Sequence, residues 1–389
     1  MRAALLRLDR VEFGEGFVLN SIAENYLLSC ADIPSWFRSH HWDVYHSSYG
    51  RLIADPDAWK TFRRNGMTLG LDDSFALRSK GEIYDGSKLI GRLILPSQPR
   101  FIESPRGRDA LLEKLRGLVR LVGPKMVTEY VESEVGEPTS IIAEIDGKPL
   151  MLNGNEIEVI YFLWRLTKLL KKPRRKNMVI VEIGGGFGSL ASKLLKAFPA
   201  CKYVLLDLPE ANALQHYYIE SLYEGCGVYS YAKHRDDRSL RRFFQGDDRV
   251  AILPGWCASD LSDESVDLII NTRSFMEMNS KTVGYYFGEI NRFAAIGSHF
   301  YNVNRVVKLV GEELICFNDY PYSSCWKVVD ERAYPYTRSH AIVEVFATKN
   351  AKPVSYGSAL EYLSRLGPST QNKLELLRRN LEDIKNGYV

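Results

Sequence analysis

The segment "MVIVEIGGGFGSLASKLLKAFP", Met178 to Pro199, constrains the fold more than any other part of the chain. A run that is apolar except for Glu182 suits a strand buried on both faces, the mark of a parallel sheet. Gly184, Gly185, Gly186 and Gly188 follow. Glycine accepts positive φ and lets a ligand lie against the main chain, so this run reads as a sharp turn. The turn opens the helix "SLASKLLKAF", which Pro199 stops. A second buried run, "KYVLLDL", then carries Asp207 near its end. Strand, glycine turn, helix and strand make a βαβ unit.

The alternation continues through the helix "NALQHYYIESLYE", the strands "DRVAILPG" and "SVDLIINT", the helix "TVGYYFGEINRFA" and the strands "GSHFYNVN" and "HAIVEVFATK". This pattern predicts an α/β fold with a Rossmann-like sheet, helices on both faces and ligands beyond the carboxyl ends of the strands. Residues 1–150 read as a mainly helical accessory and acceptor-binding region, with "DALLEKLRGLVRLV" at helical spacing. That region ends in a hairpin around Asp146-Gly147. Residues 151–350 form the sheet domain, entered through the helix "NEIEVIYFLWRLTKLLKK" with Asn155 as its expected N-cap. Residues 351–389 form a charged helical tail suited to packing or to a homodimer contact. The chain has no internal repeat.

Bulk properties exclude several classes. Over 389 residues, 51 Lys and Arg stand against 48 Asp and Glu, so no clustered positive excess points to nucleic acid. No apolar run approaches a membrane span of about 20 residues, and the amino terminus lacks the apolar core of a signal peptide. The expected location is cytoplasmic. The six cysteines are scattered, without a C-x-x-C pair, and read as free thiols with no metal.

The glycine spacing fits G-x-G-x-G and fails the dinucleotide pattern G-x-G-x-x-G, since Ser189 stands three past Gly186. No Lys-Ser/Thr follows for a phosphate loop. Glu182 is placed to order an ammonium group, the helix N–H groups to receive a carboxylate, and Asp207 to bond both ribose hydroxyls. An ammonium, a carboxylate and a ribose describe S-adenosylmethionine better than a dinucleotide.

At these residues the chain resembles the class I S-adenosylmethionine-dependent methyltransferases, through "VEIGGGFG" and "LLDLPE". "DLP" resembles the small-molecule O-methyltransferases. The wider pattern "VEIGGGFGSLA…LLDLPE…SFMEM…HFYNVNR" is similar to a bacterial group of sugar O-methyltransferases, over about residues 153 to 350. The resemblance implies that Glu182 and the four glycines line the methionine end, and that Asp207 with Leu208 serves the ribose. It also implies that the loop "PGWCASD" touches the adenine. Where many relatives carry an acid after the Pro-Gly, this chain has Trp256, followed by Cys257. Trp256 reads either as a flank to the adenine ring or as simple packing.

A hydroxyl acceptor needs a general base near strands four and five. Asn271, at the tip of strand four, is expected to contact the methionine moiety or the acceptor. Plant-type O-methyltransferases carry a catalytic histidine just beyond; here Met276 stands at that point and Glu277 beside it. Glu277 is the first candidate base, with a helix cap or surface pair as its alternative role. His299 is the second, and a hydrogen-bonded structural histidine is the competing reading. Asn302, Asn304 and Arg305 offer polar contacts for an acceptor, and His340 is a further candidate. The stretch "SHHWDVYHSSYG" (Ser39 to Gly50) reads either as a lid over a sugar or as an aromatic interdomain contact. The expected reaction is methyl transfer to a hydroxyl of a sugar or glycosylated small molecule. The alternatives are a polyketide, phenol or peptide acceptor, an NAD-linked oxidoreductase, a nucleic-acid methyltransferase, and a non-enzymatic assembly partner.

Overall fold

The computed structural model describes residues 17–37, 52–53, 55–64, 105–131, 134–170, 177–223, 226–310, 313–336 and 342–350. The Ser39–Gly50 stretch, His340 and the 351–389 tail lie outside them. Helices α1 (Phe17–Asp32), α2 (Pro56–Lys60), α3 (Pro105–Val122) and α4 (Pro124–Tyr130) precede a hairpin of β1 (Ile141–Ile145) and β2 (Lys148–Leu152). Asp146 and Gly147 both take positive φ at the hairpin turn, as that dipeptide favours. Helix α5 (Gly154–Leu170) leads into the sheet. Its cap differs from expectation: Asn153 Oδ1 accepts from the Glu156 N–H at 3.0 Å, while Asn155 lies one residue inside the helix and bonds Ser189 Oγ. Asparagine two residues earlier does the capping because the chain turns at Asn153.

The core elements are β3 (Val179–Ile183), α6 (Ser189–Ala197), β4 (Lys202–Asp207), α7 (Pro209–Leu222) and β5 (Val228–Ser230), then α8 (Tyr231–Arg235) and α9 (Arg241–Gln245). After these come β6 (Val250–Pro254), β7 (Val266–Thr272), α10 (Ser280–Phe293) and β8 (Ala294–Arg305). The short pair β9 (Val307–Val310) and β10 (Glu313–Cys316) precedes β11 (Trp326–Ala333) and β12 (Ile342–Lys349).

The main sheet runs β11-β12-β8-β7-β3-β4-β6-β5. From β5 to β8 all neighbours are parallel, while β12 joins β8, and β11 joins β12, antiparallel. Strands β6, β4, β3, β7 and β8 thus reproduce the 3-2-1-4-5 order of a doubly wound sheet, with the switch point between β3 and β7. The antiparallel β12 and β11 stand where a dinucleotide-binding sheet would continue its second parallel half. Sequence reading missed β5, β9, β10 and β11, which are short or edge strands with weak apolar periods.

Alternation along the strands explains the two cores. Ile180, Tyr203 and Leu205 face one layer with α5, α6 and α7. Val181, Ile183, Val204 and Leu206 face the other with α10. By the same period Glu182 shares a face with Ile180. The described accessory residues pack on this domain: Asn25 Oδ1 accepts from the Ala232 N–H at 2.8 Å, and Asp32 meets Tyr231 and Arg235.

Candidate active site

The glycine turn closes on itself and on β7. Gly184 (φ +74°), Gly186 (+60°) and Gly188 (+94°) adopt left-handed conformations. A Cβ on Gly184 would lie 2.0 Å from Ser274 Oγ, so only glycine lets β3 and the loop after β7 approach this closely. A Cβ on Gly185 would strike Leu205 at 2.6 Å and press on the Glu182 carboxyl.

Glu182 and Asp207 are the acids of the site. Glu182 is 1% exposed and accepts from Tyr203 Oη at 2.7 Å. Asp207 ends β4, with Oδ1 accepting from the Leu208 N–H at 2.8 Å and Oδ2 from Gln215 Nε2 at 2.9 Å. Burial pushes both carboxyls up to about 7, against the pull of these hydrogen bonds, and Asp207 raises Glu182 further. The groups acting most strongly on either include no cation. A pyrophosphate would add negative charge to this pair. A ligand with a sulfonium, an ammonium and a ribose diol would relieve it, so the residues present fit S-adenosylmethionine.

The turn after β6, Gly255–Asp260, is a short 3-10 segment. Cys257 is buried there and burial raises its thiol well above the usual range. Trp256 meets the Phe37 ring edge-on at 5.3 Å, and a Cβ on Gly255 would strike Tyr286 Oη at 1.9 Å and Phe37 at 2.3 Å. The accessory region therefore reaches the expected adenine loop through Phe37, whose carbonyl accepts from Thr282 Oγ1 at 3.2 Å. Beside the loop a hollow of about 320 Å³ is lined by Asp32, Tyr231, His234, Arg238, Trp256 and Asp260, among others. His234, Cys257 and Asp260 bring ligand atoms within 4.8 Å of one another, the one group of metal-ligand type at such spacing among the described residues.

Asn271 sits at the tip of β7, fully buried, with every hydrogen-bonding position engaged inside the protein. Nδ2 donates to the Ile183 carbonyl (2.9 Å) and Ser274 Oγ (2.7 Å); Oδ1 accepts from Asn304 (2.7 Å) and the Phe275 N–H (3.2 Å). It ties β7 to the glycine turn. Asn302 and Asn304 extend the same buried network, through Tyr322 and the Met276 N–H. These asparagines shape the strand tips from beneath.

Among the candidate bases, the structure places Glu277 near the strand tips and His299 away from them. Glu277 closes the 3-10 turn Phe275–Glu277 beyond β7, with Oε1 2.6 Å from Lys308 Nζ on β9. Burial lowers the Lys308 ammonium. Beside them Arg273, held at φ +65°, pairs with Glu158 of α5 at 2.7 Å. Charge interactions link Arg273 also to Tyr334 and Glu277. His299 instead pairs in register with Leu268, in mid-sheet. It lies three residues, about 10 Å, short of Asn302 at the carboxyl end. Its Nδ1 is 2.9 Å from Thr348 Oγ1 and its ring stacks on Phe346 at 4.9 Å. Because the strand starts at Ala294, His299 lies within it, and these contacts favour the competing reading of a hydrogen-bonded histidine.

Sequence reading missed Gln215, Tyr203, Ser274, Arg273 and Lys308. Of these only Gln215 left a signal, a polar residue amid the apolar face of "NALQHYYI".

Comparison with known proteins agrees with the fold. A family model described as an O-methyltransferase domain matches residues 167–227, which contain the glycine turn, Asp207 and Gln215. No curated protein matches. Solved structures include a SAM-dependent methyltransferase from Aquifex aeolicus, at 17% identity and TM-score 0.30, covering 47% of this chain and 88% of that one. Another is geranyl diphosphate C-methyltransferase from Streptomyces coelicolor A3(2), solved with Mg2+, geranyl diphosphate and S-adenosyl-L-homocysteine, at 12% identity and TM-score 0.31, covering 50% and 81%. No helix among the described residues is long and apolar enough to cross a membrane. The strand order is that of a doubly wound sheet, the stretch around the glycine turn resembles an O-methyltransferase domain, and the paired acids beside that turn fit S-adenosylmethionine as the cofactor.

Proposed function

We propose that the chain methylates a hydroxyl of a sugar or a glycosylated small molecule. When bound, S-adenosylmethionine would supply an electrophilic methyl group on its sulfonium, so that an O–C bond to the acceptor could form as the C–S bond breaks and the sulfur leaves as a neutral thioether. Glu182 and the glycine turn serve the amino-acid end, and Asp207 accepts from the ribose hydroxyls. Glu277 takes the hydroxyl proton as the new bond forms. Lys308 fixes the Glu277 carboxylate by ion pairing, and Arg273 with Glu158 presents charged hydrogen-bonding groups suited to a polyol.

The observation that carries the cofactor half is the acid pair beside the glycine turn, raised by burial with no cation among the described groups that act most strongly on it. The clustered charges beyond β7 support the polyol half, since an apolar phenol or terpene would leave them desolvated. The test has two arms. S-adenosylhomocysteine should raise the melting temperature where NADH does not, and labelled methyl groups should pass to glycosides in preference to simple phenols. Transfer to phenols alone would exclude the sugar reading.

A further inference from the structure

Gln215 lies on α7 eight residues after Asp207, fully buried. Its Nε2 donates both to the Gly186 carbonyl and to Asp207 Oδ2, each at 2.9 Å. Facing a carbonyl and a carboxylate, the amide can satisfy both only with its NH2 group, which fixes the orientation of the side chain. Oε1 is left buried without a hydrogen-bond partner. An unpartnered amide oxygen in a core is destabilising, and a methionine of similar shape would avoid it. Packing therefore does not account for glutamine at this position. The bridge does, and it joins the turn that faces the methionine end to the acid that faces the ribose.

We propose that Gln215 is a positioning residue of the cofactor site, its amide fixing the distance and orientation between the glycine turn and the Asp207 carboxylate. This rests on the cofactor reading above. Among the described residues, the other groups acting on or from Asp207 are Glu210 on α7, Glu182 on β3 and the Tyr286 hydroxyl on α10, none of them cationic. The donors that hold the carboxylate charge are Gln215 and the Leu208 and Gly186 N–H groups. Removing the glutamine donor leaves Asp207 both less oriented and harder to ionise.

The test is calorimetric titration with S-adenosylhomocysteine across the pH range that spans the Asp207 transition, on wild type and Gln215→Met. Wild-type affinity should climb with pH around an apparent midpoint near 7. In Gln215→Met, affinity at neutral pH should fall about tenfold, the midpoint should rise by about one pH unit, and the gap should narrow at alkaline pH. A uniform loss at every pH with an unmoved midpoint would mean a packing role only and overturn the proposal. Gln215→Glu, which can donate only when protonated, carries the same test should the methionine variant not fold. A wild type that fails to bind at any pH overturns the cofactor reading and this proposal together. A wild type that binds beside variants of unchanged midpoint overturns this proposal alone.

Discussion

Asp207 and Glu182 make the site sensitive to pH. Both carboxyls stand near 7 when folded and return to the ordinary carboxylate range on unfolding. Between about pH 4 and about pH 7 the folded state therefore holds more protons than the unfolded chain, so stability falls as pH rises through that window. The ligand-free melting temperature should decline from mildly acidic to neutral pH, and S-adenosylhomocysteine should restore more stability on the alkaline side. A melting temperature that climbs across this range in wild type, and no less steeply in Asp207→Asn, would show that Asp207 is not raised by burial. Asp207→Ala should weaken S-adenosylhomocysteine by about tenfold or more, since a charged acceptor of ribose hydroxyls contributes roughly 1.5–3 kcal/mol; titration calorimetry measures it. Glu277→Gln should lower kcat by about a hundredfold or more, the range for a general base, with cofactor affinity near wild type. Unchanged turnover would reduce Glu277 to the partner of Lys308.

At the scale of elements, the parts of the fold that could be read in the chain are those with strong periods. "MVIVEI", "KYVLLDL" and "SVDLIINT" are buried on both faces and appear as β3, β4 and β7 within a residue or two of expectation. The short β5 and the twisted edge strand β11, which alternates exposed and half-buried residues, were not legible, because neighbours decide their pairing. The site divides in the same way. The glycine turn and Asp207 are local patterns, whereas the Gly184–Ser274 contact, the Gln215 bridge and the left-handed Arg273 arise from tertiary closure. His299 misled because its position along the strand, three residues short of Asn302, cannot be judged without the register. Helix α5 is joined to the reversed strands by another tertiary feature: buried Arg165 pairs with Glu344 and Asp330, and Tyr161 Oη donates to Glu344 at 2.6 Å. Removing one partner of a buried pair strands the other charge. Arg165→Leu should therefore cost about 3–5 kcal/mol, while Arg165→Leu with Glu344→Leu should recover much of it. Denaturant unfolding of the single and double variants measures the difference.

Across the whole molecule, the described accessory residues pack on the sheet domain at the 255–260 turn. Trp36 and Phe37 pack on Trp256, Tyr285 and Tyr286, and Thr282 reaches the carbonyls of both. Helix α1 adds polar bonds to α8 from the same side. A segment whose buried aromatic sits 2.3 Å from where a Gly255 Cβ would be cannot move far without exposing that ring. Loss of the segment and loss of the 255–260 turn should then be one event. Phe37→Ala removes a ring that is 4% exposed, for which about 3–5 kcal/mol is the ordinary cost. If the two regions are one cooperative unit, that cost appears as a lower midpoint for the entire sheet domain, with aromatic and backbone dichroism still coincident. It should also appear as weaker S-adenosylhomocysteine binding, because the 255–260 turn, expected to meet the adenine, loses its wall. An early transition confined to aromatic signals, with the sheet melting at its wild-type temperature, would instead make the accessory region an independent cover whose contact with Gly255 does not support the cofactor site.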